Sequence, residues 1–237
     1  IGLGTAINIG LIIAGSLCGL AFGRFMKENL KQTLMMVSGI IVLLLGMSGA
    51  MQYMLVIVNG TLQTTGPMLM IISMVAGAVI GELIDLNRWI TVFGDWVKAK
   101  TGNTGDPQFT HAFITASLTF TVGAMGVLGS IQDGLTGNYQ TLLLKGILDG
   151  IIVMVMVSSM GKGALFSFIP VGITQWIITA MAHIAAPLMT PSAIDNLSYV
   201  GSILIFCVGI DLIWPGKVRI ANLLPAIFVA MGLTFLL

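Results

Sequence analysis

Charged side chains are scarce in this sequence of 237 residues. Asp, Glu, Lys and Arg together make up 8% of the chain, whereas soluble domains carry about a quarter. Apolar residues account for 57%, and the mean hydropathy is +1.03. This composition excludes an ordinary soluble domain and predicts an all-α, polytopic membrane protein whose main partner is the lipid bilayer. The net charge of +1 gives no indication of nucleic-acid binding, and we expect no nucleic acid partner.

Histidine and cysteine are equally rare, with two of each. A transition-metal transporter would need clusters of histidine and carboxylate, but His111 stands at a predicted helix entrance and His183 is isolated. We therefore expect no metal site. Cys18 and Cys207 fall inside apolar runs, where apolar burial is a better interpretation than a disulfide.

A nucleotide-binding loop is also missing. The stretch SSMGKGA contains Gly-Lys but lacks the first glycine of the phosphate-binding motif and the Ser or Thr that follows its lysine. We therefore expect no bound nucleotide and no cofactor.

Long apolar runs are what the chain does contain. A bilayer core of ~30 Å requires about 20 apolar residues per helix, and the runs predict eight spans in a three, two, three arrangement that forms one transmembrane domain over residues 1–237. The first run lacks the basic segment and cleavage site of a signal peptide, so we interpret it as a span. The predicted spans cover roughly residues 1–23, 33–57, 66–86, 109–131, 139–160, 164–187, 196–214 and 219–237.

Lysine and arginine predict the orientation of these spans. Cytoplasmic loops are enriched in these residues, and here they cluster in every second loop, with Lys145 as the one exception. We therefore expect both termini outside a bacterial cytoplasmic membrane. The loop residues are Arg24, Lys27, Lys31, Arg88, Lys98, Lys100, Lys162, Lys217 and Arg219.

The longest basic loop contains an amphipathic pattern at residues 88–100. Trp89, Phe93, Trp96 and Val97 share one side of a helix, which predicts a helix lying in the inner membrane interface. A helix that binds a partner protein is the alternative interpretation.

Two features concern the assembly of the spans. Val37–Gly46 aligns with Val200–Gly209 at valine, isoleucine and glycine positions, and the odd offset between these spans would make any repeat an inverted one. Glycine-rich faces in AGSLCG and AGAVIG would suit a homodimer.

The stretch TVGAMGVLGSIQDGL, at the end of the fourth predicted span, is unusual. It spaces Gly123, Gly126 and Gly129 three apart and then adds polar side chains: Ser130, Gln132 and Asp133. Close packing of a neighbouring helix is one explanation. We favour a loosened helix end that faces a polar pocket, because irregular backbone at membrane depth requires a cavity or surrounding protein.

Asp149 is the strongest candidate for a binding residue. It lies ten residues beyond Tyr139, about 15 Å into the bilayer, where an ionisable group is costly. Lys145, one turn earlier, would either neutralise it permanently or alternate with a bound ion. In the second case Asp133 would guide a cation from the outer surface to Asp149.

Further polar positions interrupt other spans. Asn8, Gln175 and Asn222 are amides that either join helices or line the site. Pro170 and Pro225 would break the sixth and eighth spans.

Several phrases resemble those of the bacterial YqgA-like integral membrane family, a domain of unknown function (DUF554). The resemblance covers nearly the whole chain and implies a bacterial inner-membrane protein of transporter-like build. It supplies no catalytic residues. The phrases are TAINIGLIIAGSLCG, GELIDL, FITASLTFTVGAMGVLGSIQDGL, LLLKGILDGI and RIANLLPA.

These observations lead us to expect an ion-coupled secondary transporter for a small cation or small polar solute, and not an enzyme. An ion channel is the alternative. An intramembrane aspartyl hydrolase is disfavoured, because neither Asp133 nor Asp149 follows Gly-x-Gly.

Overall fold

The computed structural model describes residues 1–122, 124–188 and 190–235. These residues form a helical bundle with one short β-hairpin, which confirms the all-α class. Two short 3-10 helices lie at Lys162–Ser167 and at Ala186–Leu188. The α-helices are α1 (Leu3–Gly23), α2 (Glu28–Met54), α3 (Pro67–Ile84), α4 (Leu86–Lys100), α5 (Phe109–Thr121), α6 (Ala124–Thr136), α7 (Gln140–Met160), α8 (Phe168–Ala180), α9 (Ala182–Ala185), α10 (Pro191–Ile213), α11 (Ile220–Leu223) and α12 (Pro225–Leu233).

Six helical segments in the described residues are long and apolar enough to cross a membrane, and α5 with α6 makes a seventh if this bent pair counts as one span. The eighth predicted span, residues 219–237, corresponds to the shorter apolar segment Ile220–Leu233, and its last two residues lie outside the described part. α11 ends at Leu223 and α12 begins at Pro225, since proline cannot continue the hydrogen-bond pattern of the preceding turn. The six segments are Leu3–Gly23, Asn29–Met54, Pro67–Ile84, Gln140–Met160, Lys162–Ala180 and Pro191–Ile213.

The loop after α2 folds into an antiparallel hairpin. Strands β1 (Leu55–Val58) and β2 (Thr61–Thr64) pair across a two-residue turn. Asn59 and Gly60 in this turn both have positive φ, at 51° and 77°, as a tight hairpin turn requires. We call this end of the bundle the hairpin end and the opposite end, which carries α4, the α4 end.

Glycines bring α1 and α7 into backbone contact. A side chain at Gly15 would collide with the Gly150 carbonyl, and one at Gly19 would collide with that of Met154. The contacts advance in the same direction along both helices, so α1 and α7 run parallel. Glycine is needed here because a Cβ atom would separate the two backbones.

The glycines of α3 face α11 and α12 in the same manner. Gly77 packs on Ala226 and Gly81 on the backbone of Asn222. The glycine faces proposed for a homodimer are therefore occupied within the chain. A homodimer stays a prediction, but these two faces do not support it.

The crossing of α2 and α10 is symmetric. Gly46 packs on the backbone of Phe206, and Gly209 packs on the backbone of Leu43. The alignment of Val37–Gly46 with Val200–Gly209 pairs Gly46 with Gly209 and also pairs Leu43 with Phe206. Each contact is thus the counterpart of the other.

A second pair of contacts follows the same rule. Gly49 packs on Ser202, and Gly39 packs on Leu212. Extending the same alignment exchanges Gly49 with Leu212 and Gly39 with Ser202. The two helices therefore meet as two copies of one surface would across a two-fold axis.

Helix α4 has the amphipathic character that the sequence predicted for residues 88–100. Val97 is buried, and Phe93 packs on the ring of Phe113 with centroids 5.8 Å apart. Trp89 and Trp96, in contrast, are 67% and 54% exposed. The aromatic side is thus divided between the protein and the surroundings, as expected for an interfacial anchor.

Neither cysteine is buried in the core. Cys18 is exposed on α1, and Cys207 is of intermediate exposure. The expectation of burial was therefore wrong for Cys18. A spanning helix can present an apolar thiol to lipid, because the surrounding solvent is itself apolar.

Candidate functional site

The fourth predicted span is broken. α5 ends at Thr121, Val122 adopts an extended conformation, and α6 begins at Ala124, with 60° between the two helix axes. Gly123 lies outside the described residues. The irregular backbone is shorter than we expected, because Gly126 and Gly129 both lie inside α6.

A cavity of about 310 Å³ adjoins this break. It lies between α2, the α5 to α6 junction, α7 and α10, and it extends from the last turn of α2, at Gln52 and Tyr53, to Asp149. Most of its wall is apolar. Its lining residues are Val42, Leu45, Gly49, Gln52, Tyr53, Thr119, Phe120, Val122, Met125, Gly126, Lys145, Leu148, Asp149, Ile152, Ser198, Ser202 and Ile205.

Lys145 and Asp149 place one positive and one negative side chain in the wall of this cavity. The Nζ atom of Lys145 donates a hydrogen bond of 2.5 Å to Oδ2 of Asp149. The residues are 8% and 6% exposed, respectively. They lie one turn apart on α7, as their spacing predicted, so the pair forms without help from another helix.

Gly126 lies next to the lysine side chain. A Cβ atom at this position would lie 3.4 Å from Cε of Lys145 and 3.8 Å from Nε2 of Gln175. The first turn of α6 therefore lies close to both the lysine side chain and an amide of α8.

Gln175 is buried without any hydrogen-bond partner in the described structure. Its side chain is 3% exposed, and neither Nε2 nor Oε1 is bonded. It shares a void of about 10 Å³ with Thr121, whose hydroxyl is also unbonded, and with Gly126. A void of this size accommodates about one water molecule.

Asn8 reaches the charged pair from α1. It is fully buried, lies beside Asp149 and packs against Gly146. Its amide oxygen accepts no hydrogen bond in the described structure. Buried amides are normally bonded, so Asn8 retains unused hydrogen-bonding capacity next to the carboxylate.

Asp133 lies away from this cavity. It is fully buried, and its Oδ2 accepts a hydrogen bond of 3.0 Å from the backbone amide of Gly4. This amide belongs to the first turn of α1, where the amides have no partner within the helix and the helix dipole favours a negative charge. Asp133 thus caps α1, and it is not among the residues that line the cavity.

The remaining polar residues of α6 also bond elsewhere. Gln132 accepts a hydrogen bond of 2.7 Å from the hydroxyl of Thr141, and Ser130 donates one of 2.7 Å to the carbonyl of Gly126. Gly129 packs on Leu142. These contacts join α6 to α7 or stabilise α6 itself, and none of the three residues lines the cavity.

Asn222 lies at the α4 end. Its Oδ1 accepts a hydrogen bond of 2.6 Å from the backbone amide of Asn87, in the first turn of α4. It therefore caps α4 and does not join the group around Asp149.

Sequence reasoning missed a second cavity, of about 380 Å³, at the α4 end. Asp211, 6% exposed, accepts a hydrogen bond of 2.8 Å from the amide of Gly216, and its Oδ2 lies 3.3 Å from Nε2 of His111. Leu118 and Thr115 of α5 also line this cavity. The available signal was a carboxylate inside the seventh predicted span.

Comparisons with known proteins agree with the membrane architecture. The family model described as "Protein of unknown function (DUF554)" matches residues 3–235. The "Uncharacterized membrane protein YdfK" of Bacillus subtilis (strain 168) is 27% identical over 99% of this chain and 96% of its own. The "Uncharacterized protein YqgA" of Escherichia coli (strain K12) is 24% identical over 98% and 96%. No solved structure matches the chain.

Proposed function

The chain belongs to the DUF554 family, which confirms the resemblance drawn from its sequence phrases, and we propose that this membrane protein is an ion-coupled secondary transporter for a small ion or small polar solute. One observation carries the proposal. The buried Lys145 and Asp149 pair lies in a cavity beside a broken span.

Two physical costs support this assignment. Ionisable side chains at membrane depth are costly and mark binding sites or ion paths. A helix interrupted within the bilayer leaves backbone groups without partners, which is tolerated where the backbone lines a cavity. Transporters commonly combine both features, because a discontinuous helix offers polar backbone to a substrate near the midplane.

The second cavity favours a transporter over a channel. We call the cavity that contains Asp149 the hairpin-end cavity and the one that contains Asp211 the α4-end cavity. The first includes Thr119 and Phe120 of α5, and the second includes Thr115 and Leu118. Among the described residues, none lines both cavities. A site reached in turn from each end would be served by this arrangement, while a channel needs one continuous path.

The crossing of α2 and α10 supports an inverted repeat. Its paired contacts, Gly46 on Phe206 and Gly209 on Leu43, are exchanged by the alignment of the two segments. Inverted halves can rock against each other around a central site, which is one route to alternating access.

The orientation follows from the basic loops. We place the α4 end in the cytoplasm of a bacterium and both termini outside, because Lys98 and Lys100 of α4 lie at that end. We assign no enzymatic activity and no resident cofactor.

Uptake into proteoliposomes that contain the purified chain tests this proposal. The substrates are labelled sodium and potassium ions and a panel of labelled amino acids, and we expect saturable uptake of at least one. Gly126→Leu should abolish this uptake. The Cβ atom of the new side chain would lie 3.4 Å from Cε of Lys145, and the rest of the leucine would displace the lysine. Gly10→Leu is the matched control, since no atom of the described residues lies within 4 Å of a Cβ atom added at Gly10. The absence of saturable uptake, or equal uptake by the two variants, would contradict the proposal.

A further inference from the structure

The hairpin-end cavity contains one positive and one negative side chain, Lys145 and Asp149, in a wall that is otherwise mostly apolar. We propose that its occupant is a small zwitterion, with one carboxylate, one ammonium group and an apolar side chain, as in a neutral α-amino acid. This inference rests on the proposed function in taking the cavity as the substrate site, and it decides between the ion and the polar solute.

A bare cation fits this cavity poorly. The ammonium group of Lys145 already lies 2.5 Å from Asp149. A cation bound to Asp149 would displace it and leave a buried lysine without a counter-ion. Uncompensated buried charges are strongly destabilising, so the pair disfavours binding of a metal cation alone.

A carboxylate, in contrast, would meet several donors. Lys145 offers its ammonium group, and the first turn of α6, with Met125 and Gly126 in the cavity wall, offers backbone amides that have no partner within the helix. The positive end of the α6 dipole adds to this attraction. These groups form the carboxylate side of the site.

Gln175 supplies independent support for the carboxylate side. Its amide is 3% exposed and forms no hydrogen bond with the described residues, and its Nε2 lies 3.8 Å from the Cβ position of Gly126. A buried amide without a partner costs about 1–3 kcal/mol. A ligand oxygen beside Gly126 would provide that partner.

The ammonium side is formed by Asp149 with Asn8 beside it. Asp149 supplies the negative charge, and Asn8 supplies a buried Oδ1 atom that accepts no hydrogen bond within the described part of the chain. An ammonium group has three donors and no acceptor. A carboxylate next to a free amide oxygen matches these requirements.

A zwitterion preserves the balance of charge. When it enters between the two side chains, its carboxylate pairs with Lys145 and its ammonium group with Asp149. A carboxylate without an amine would strand Asp149, and an amine without a carboxylate would strand Lys145. Only a ligand with both groups leaves each buried charge paired.

The remaining wall indicates the side chain of the ligand. Val42, Leu45, Leu148, Ile152 and Ile205 line the cavity and favour an apolar group. Its volume of about 310 Å³ is near the lower end of the range of small-molecule sites, about 300–1,000 Å³. A small amino acid fits this space.

Thermal unfolding of the purified full chain in detergent tests the charge requirement. The probes are L-leucine and L-alanine, their deaminated analogues 4-methylpentanoate and propionate, their decarboxylated analogues 3-methylbutylamine and ethylamine, and sodium chloride at equal ionic strength. We expect at least one amino acid to raise Tm by several degrees in a saturable manner. Its two analogues should need at least tenfold higher concentrations to produce the same rise in Tm. The absence of a shift with either amino acid, or an equally effective analogue, would overturn the inference.

Gln175→Leu tests the carboxylate side separately. It should raise the half-saturating concentration of the effective amino acid at least fivefold without lowering Tm in the absence of ligand, because the native amide forms no hydrogen bond in the described fold. Ser73→Ala is the matched control, since Ser73 is also buried and unbonded but lies on α3. Equal affinity of wild type and Gln175→Leu would contradict the role of Gln175.

The two proposals fail in different ways. Saturable uptake of sodium or potassium without stabilisation by an amino acid would leave the transporter proposal intact and overturn the zwitterion. Stabilisation by an amino acid without uptake of any substrate would support the zwitterion site and contradict the transporter proposal.

Discussion

The Nζ atom of Lys145 lies 2.5 Å from Oδ2 of Asp149, one turn away on α7. Because both side chains are buried, each one compensates the charge of the other in a medium of low polarity. This mutual dependence can be measured as a coupling free energy.

The double substitution of this pair should therefore lower the free energy of unfolding by less than the two single substitutions do when added together. We expect Lys145→Met and Asp149→Asn each to lower the free energy of unfolding by about 3–5 kcal/mol, and the double variant to lose less than the sum. Thermal unfolding in detergent measures this cycle. The control pair is Arg219 and Glu82, 66% and 52% exposed, whose coupling should stay below about 1 kcal/mol. Additive losses at Lys145 and Asp149 would show that the pair is not coupled.

Transport should distinguish the pair from a purely structural one. The double variant should fold but not transport, because neither ligand charge would find its partner. Retained uptake in the double variant would assign Lys145 and Asp149 to the structure alone.

Asp133 should affect the stability of the protein and not its affinity for the transported substrate. Asp133→Ala removes the acceptor for the Gly4 amide and should cost about 1–2 kcal/mol, as loss of a helix cap does. Asp133→Asn retains an acceptor oxygen and should cost less. Thermal unfolding compares the variants, and uptake measures whether half-saturation changes. A raised half-saturating concentration in a normally stable Asp133→Asn protein would restore a role for Asp133 on the ligand path.

The symmetric crossing of α2 and α10 predicts paired effects. A methyl group at Gly46 or Gly209 would collide with the backbone of the other helix, so Gly46→Ala and Gly209→Ala should each destabilise the protein by about 1–3 kcal/mol. Gly10→Ala, which has open space, should stabilise it by up to about 1 kcal/mol. Thermal unfolding checks all three. A large effect at one glycine of the crossing and none at the other would contradict the symmetry.

The orientation can be tested with single cysteines in a background that lacks Cys18 and Cys207. Cysteines at Thr64 and Asp195, both exposed, should react with an impermeant thiol reagent added to intact cells. A cysteine at Lys100, also exposed, should react only after the cells are opened. Labelling of the Lys100 site in intact cells would reverse the orientation.

Local features were predictable from the sequence. The helical class followed from the apolar runs, α4 from its aromatic spacing, and the Lys145 and Asp149 contact from a separation of one turn. The break near Gly123 was indicated by glycine, which weakens a helix. Each of these features depends on residues that are close together in the chain.

Features that depend on distant partners were not predictable. Asp133 bonds to a residue 129 positions away, and Asn222 bonds to one 135 positions away, so their types alone could not separate a cap from a ligand. The glycines of α1 and α3 suited any neighbour, within the chain or in another copy. The hairpin at Asn59 and Gly60 carried a local turn signal that a search for spans overlooks.

The bond between Gly4 and Asp133 has a consequence for biogenesis. Synthesis proceeds from the N-terminus, so α1 is threaded into the bilayer when the carboxylate that caps it has not yet been translated. The ribosome must add more than a hundred further residues before α6 can deliver Asp133. Until then the exposed amides of α1 must be hydrated at the membrane surface or covered by the insertion machinery, and α6 is the element that ends this dependence.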